Sequence, residues 1–160
     1  MYKEYAYQLH ATAKKSRKYG YVFDNAVKLC DVMEIKYELG LKTRKAYEAV
    51  DKKQFERLAK NEYVKVEKLI RIFGRAFEKQ RFTDNKPHDF DIQDHRIGAL
   101  LYRIDACRLR ILDYTSGKID CIDELDEALL PFRNKGESTR LNRVPFYSSV
   151  NIFHHNSVAL

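Results

Sequence analysis

The sequence predicts an all-α fold, an elongated bundle of about five helices with an irregular C-terminal tail. Three observations carry that expectation. Apolar residues recur at steps of three and four from Tyr5 to Tyr114, the spacing of one helix face. Six glycines and three prolines in 160 residues leave too little turn chemistry for an all-β chain. After Phe132 the periodicity lapses and polar residues dominate.

The first predicted helix covers Glu4 to Tyr19, with Tyr5, Leu9, Thr12 and Ala13 on one face. Gly20 supplies a residue suited to a left-handed helix end. A second helix, Phe23 to about Ala49, places Phe23, Ala26, Val27, Cys30, Met33 and Tyr37 at helical steps. Gly40 lies inside it, a point of close packing or of a kink that costs about 1 kcal/mol relative to Ala. Asp51 reads as an N-cap, with Gln54 three residues on as its capping-box partner. The helix it opens runs through Phe55, Leu58, Ala59, Tyr63, Val66, Leu69, Ile70, Phe73 and Phe77. About 30 residues at 1.5 Å each give a rod of about 45 Å.

The pattern stops at Phe82. Thr83 to Phe90 has no helical period, and Pro87 turns its predecessor Lys86 away from the α region, so a loop is expected. Asp91 is then placed to cap a fourth helix through Asp94, Ile97, Leu100, Leu101, Ile104, Cys107, Ile111 and Tyr114, ended by Ser116-Gly117. A short amphipathic turn from Ile119 to Leu130, closed by Pro131, completes a helical domain over residues 1–132. Residues 133–160 read as a linker and tail, docked or disordered.

Composition narrows the class. The chain carries 30 Lys+Arg against 23 Asp+Glu, a net charge of +7. Acids and bases alternate through Glu34 to Asp51 and Glu56 to Glu78, as on solvated helix faces, and the one basic cluster is Lys14 to Lys18. That distribution argues against a nucleic-acid partner, which needs a concentrated basic face. No apolar run approaches the roughly 20 residues of a membrane span, and the N-terminus lacks the apolar core of a secretory signal. With an odd count of three cysteines, Cys30, Cys107 and Cys121, a reducing, cytoplasmic setting is expected.

Catalytic and metal-binding signatures are missing. There is no glycine-rich phosphate loop, no HExxH, no nucleophile elbow and no paired-cysteine site. Asp123-Glu124 and Asp126-Glu127 read as solvated surface charge, because glycosidic acid–base work needs carboxyls about 5–9 Å apart across a cleft. His154-His155 stands without a carboxylate or thiol companion. The cysteines and most of the eleven tyrosines are assigned to packing. No metal or cofactor is expected.

The stretch after Asp84 differs. Asn85, Lys86, Pro87, His88, Phe90, Asp91, Gln93, Asp94 and Arg96 combine a fixed backbone, one aromatic and many polar donors. Such a mixture suits a contact surface, with the competing reading of a capping loop whose Phe90 plugs the bundle end.

Asn85 to Leu100 resembles the NKPxGFDxQDxRxGxL stretch in the C-terminal helical domain of bacterial family 20 glycoside hydrolases, the β-N-acetylhexosaminidases. Asp89 stands where that family has Gly. Leu29 to Val32, Lys36 to Gly40 and Arg44 to Tyr47 resemble a second stretch of the domain. Cys107 to Arg110, Tyr114, Gly117 to Ile119 and Glu124-Leu125 resemble a third, in the family's order. The likeness covers about residues 4 to 131, and the tail lacks the family's Trp-containing ending.

The resemblance implies a non-catalytic domain of a larger enzyme. Its parent would hydrolyse terminal β-linked N-acetylhexosamine by a substrate-assisted retaining mechanism, using an Asp-Glu pair on an upstream (β/α)8 barrel. A barrel takes about 250 residues, more than this chain holds. The expected partners are that barrel and a second copy in a homodimer, with carbohydrate met only through the parent. The Asn85–Arg96 stretch would form an interface or a cleft rim. The alternative is a free-standing basic helical module for nucleic acid or an acidic protein.

Overall fold

The structure is a computed structural model and describes residues 1–85 and 90–127. In order come α1 (Tyr2–Lys15), a 3₁₀ turn (Arg17–Tyr19), α2 (Gly20–Glu48), α3 (Lys52–Arg57), a π-helical segment (Leu58–Tyr63), α4 (Val64–Asp84), α5 (Phe90–Thr115) and α6 (Asp123–Asp126). No strand occurs among the described residues. The segment from α3 to α4 is one uninterrupted rod, so the helices number five as expected. The tail, residues 133–160, lies outside the described residues, as do Leu130, Pro131 and the His154-His155 pair.

The first helix packs only partly. α1 has no buried residue. Its half-buried stripe is Tyr2, Ala6, Leu9 and Ala13, and the Tyr2 ring lies 5.7 Å from that of Tyr37 on α2. Two members of the expected face, Tyr5 and Thr12, are exposed, and the Thr12 hydroxyl instead donates to the Gln8 carbonyl at 3.0 Å. Gly20 corrects a second expectation: it is right-handed (φ −55°) and opens α2, while Arg17 takes the positive φ of 41°. Glycine is needed there for close approach, because a Cβ would sit 2.7 Å from the Ala13 carbonyl oxygen.

α2 lies between α1 and α4, so its apolar positions divide between two sides. Buried residues are Val27, Val32, Leu39, Gly40, Thr43 and Ala46, whereas Tyr37, expected in the core, is exposed. The helix continues through Gly40. It closes with the Val50 amide donating to the Tyr47 carbonyl (2.9 Å) and Asp51 to that of Ala46 (3.0 Å), the Schellman pattern. Val50 holds the left-handed position (φ 53°), an uncommon place for a β-branched side chain. The Asp51 cap is present as expected, with Oδ1 accepting from the Gln54 amide at 2.9 Å, but the capping box is not completed, because the Asp51 amide donates to Ala46 and not to the Gln54 side chain.

The core is built on the rod. Phe55, Leu58, Ala59, Tyr63, Val66 and Ile70 are buried against Val32, Leu39 and Ala46 of α2 and Ile104 and Ile111 of α5. Tyr63 is the largest side chain in this layer, and its polar end is satisfied. Its hydroxyl donates to Thr43 Oγ1 at 3.0 Å, and Thr43 donates to the Leu39 carbonyl at 2.8 Å. Burial pushes the Tyr63 phenol pKa well above its usual value.

α5 ends as expected at Gly117 (φ 77°), in the same Schellman pattern: Gly117 donates to Tyr114 (3.1 Å) and Lys118 to Asp113 (2.9 Å). The following turn folds back onto α2. Tyr47 donates to Asp126 at 2.9 Å and accepts from the Ile122 amide at 3.1 Å, and Arg44 donates to the Leu125 carbonyl at 3.0 Å. Ile122 is buried in consequence. Among the described residues, the amphipathic turn expected over Ile119 to Leu130 reduces to the four residues of α6.

Candidate interface groove

The chain reversal between α4 and α5 carries the residues singled out in the sequence. α4 runs two residues further than expected, through Asp84, and Asn85 leaves it in an extended conformation (φ −134°, ψ 166°). α5 starts at Phe90, so Asp91 occupies the first helical turn and is not the cap. An acid in that turn still complements the positive end of the helix dipole. Lys86, Pro87 and His88 lie outside the described residues.

Phe90 is a buried plug and not a projecting aromatic. It is 4% exposed, with ring centroids 5.7 Å from Phe77 and 5.6 Å from Phe82. Phe73 stacks on Phe77 at 5.8 Å, extending the aromatic row along α4. Ile97 of α5 packs over Gly74, its carbons 3.5 and 3.6 Å from where a Cβ would stand, an ordinary van der Waals distance.

Three of the expected site residues meet beside this plug. Asn85, Gln93 and Arg96 line a groove of about 310 Å³ with Phe77, Gln80, Arg81 and Ile92. Asp91 and Asp94 are exposed on the opening turns of α5 and do not line it. Of the four additional residues, the sequence reading placed only Phe77, on the apolar stripe of the rod, and did not single out Gln80, Arg81 or Ile92. A finer signal was present: Phe77/Arg81 and Ile92/Arg96 each set an apolar residue four positions before an arginine, on the two helices flanking the loop.

Side chains of α2 brace the groove from behind. Asn25 Nδ2 donates to Gln80 Oε1 at 2.5 Å, and Tyr21 donates its hydroxyl to Asp84. That bond to the Asp84 carboxylate raises the Tyr21 pKa, since ionisation would set two anions together. Gln80 keeps its N–H groups to donate. Among the described residues, Arg81 and Arg96 make no ion pair and no carboxylate lines the groove. The exposed lining is mainly apolar, edged by these polar side chains.

The acid pairs are exposed as expected: Glu124 pairs with Arg110 at 2.9 Å and Asp126 accepts from Tyr47. Cys121, Asp123 and Asp126 could bring ligand atoms within 4.8 Å of one another on the surface. The thiol, however, donates to Asp123 at 3.5 Å, which raises its pKa and holds back the thiolate a metal would need. Burial raises the thiols of Cys30 and Cys107, in keeping with packing roles. Of the tyrosines, Tyr5, Tyr7, Tyr19, Tyr37 and Tyr102 are exposed, more than packing alone predicted. No described helix is long and apolar enough to cross a membrane.

A comparison with the curated proteins finds no match. The family comparison is informative over nearly the whole chain. Residues 1–144 match the model described as the Glycoside Hydrolase 20C C-terminal domain, in agreement with the ordered stretches of the sequence and the all-helical fold, and the chain belongs to that family.

Proposed function

We propose that this chain is the non-catalytic C-terminal helical domain of a β-N-acetylhexosaminidase. The domain packs on the catalytic barrel and supports dimerisation or the rim of the active site. The parent hydrolyses terminal β-linked N-acetylhexosamine, its Asp-Glu pair residing on the barrel, with the substrate's own acetamido group as nucleophile. The family match over residues 1–144 carries this reading. The exposed groove at the α4–α5 reversal supports it, because Asn85, Gln93 and Arg96 lie there outside the core.

A chromogenic β-N-acetylglucosaminide separates the roles. The 160-residue chain should give no turnover above buffer. The full-length parent should turn over, and the parent lacking this domain should lose thermal stability, dimer or activity. Turnover by the chain alone, or a truncated parent unchanged in all three respects, overturns the proposal.

A further inference from the structure

We infer that the groove between α4 and α5 seats a carboxylate side chain presented by the catalytic domain of the same polypeptide. The inference rests on the domain reading above and names its contact. Charge complementarity carries it. Among the described residues the lining includes two arginines, Arg81 and Arg96, and no carboxylate. Asn85, Gln93 and Gln80 add side-chain amides, and the Gln80 oxygen accepts from Asn25 at 2.5 Å. Arginine offers five donors and no acceptor, so the groove's hydrogen-bonding demand is for an acceptor-rich, negatively charged group.

Shape agrees with this demand. Phe77 and Ile92 form apolar walls beside the guanidiniums, suited to the methylene stem of an Asp or Glu. A volume of about 310 Å³ admits one such side chain and its flanking backbone. A planar carboxylate between two arginines gains charge-assisted, geometrically specific bonds, which fix orientation between domains better than apolar contact alone.

The test uses the full-length parent, with Arg81→Ala/Arg96→Ala compared with Lys14→Ala/Lys15→Ala, a basic pair remote from the groove in sequence. In the unsubstituted enzyme, amides of Phe77–Asn85 and Ile92–Arg96 should exchange at least about tenfold more slowly than in the free 160-residue chain. The arginine variant should lose that protection, and its melting temperature should fall and cease to respond to added salt. The lysine variant should retain both properties. Circular dichroism of the free chain carrying the arginine changes checks that its helices persist.

An arginine variant matching the unsubstituted enzyme, while deletion of the domain still destabilises the parent, overturns the carboxylate contact and leaves domain packing intact. Deletion without consequence removes both. Dissociation of a dimer with catalytic-domain protection unchanged assigns the groove to a second copy and overturns the inference as well.

Discussion

The two ends of α2 lie in different environments. Its C-terminal half runs alongside the rod, where Phe55, Ala59, Tyr63 and Val66 have no solvent exposure and even the Thr43 hydroxyl is bonded on both sides. Its N-terminal half pairs with α1, a helix with no buried residue whose tyrosines at 5 and 7 face solvent. Both halves show helical apolar spacing in the sequence. The difference lies in the neighbour: the rod is packed by both α2 and α5 and buries its stripe, whereas α1 packs chiefly on α2 and only shades its own. Stability is therefore concentrated at one end of the chain's longest pairing, and the α1–α2 hairpin is expected to open at lower free energy.

Phe55→Ala should show the largest effect, a loss of about 3–5 kcal/mol in chemical denaturation, because a fully buried ring leaves a cavity. A loss below that of a surface substitution would remove the contrast between the two ends. Tyr63→Phe should cost about 1 kcal/mol near neutral pH, since Thr43 keeps its bond to Leu39. Its pH signature is sharper. The folded-state pKa of Tyr63 is raised above the unfolded value of about 10, so its stabilising contribution is complete below that pH. As pH rises above 10 the unfolded chain releases the proton first, and that contribution is lost toward the higher folded pKa. Denaturation at pH 7 and 11 should show a smaller alkaline loss in the variant. Leu9→Ala on the half-buried stripe of α1 should cost the least, about 1 kcal/mol. Its amide exchange should quicken in α1 while that of the rod stays unchanged, and an equal change in both would show that the two ends open together.

Much of this fold was legible because the controlling chemistry is local. Asp51 followed by Gln54 placed a helix start, and Ser116-Gly117 placed a helix end, since caps depend on one or two residues. Where position depends on a distant neighbour, the sequence was less informative. Gly20 was read as a left-handed stop, yet its use is close contact with Ala13, seven residues earlier on the other helix. Periodicity gave no warning of the π segment, because its residues keep the same apolar alternation as the α-helix on either side. At the candidate groove, the polar half was visible near the loop in Asn85, Gln93 and Arg96. The apolar half was hidden because Phe77 belongs simultaneously to the helix stripe and to the groove wall.

One aspartate between α2 and the rod links the two halves mechanically. The Asp51 amide completes the ring that closes α2, its carboxylate caps the rod at Gln54, and its carbonyl accepts from the Phe55 amide at 2.9 Å. Neighbouring Val50 keeps its left-handed backbone, a conformation costing about 1–2 kcal/mol, while these bonds hold. Fraying at the end of α2 would therefore uncap the rod at the residue that positions Phe55, so the C-terminal half of α2 and the rod share a single point of failure and should melt as one cooperative unit.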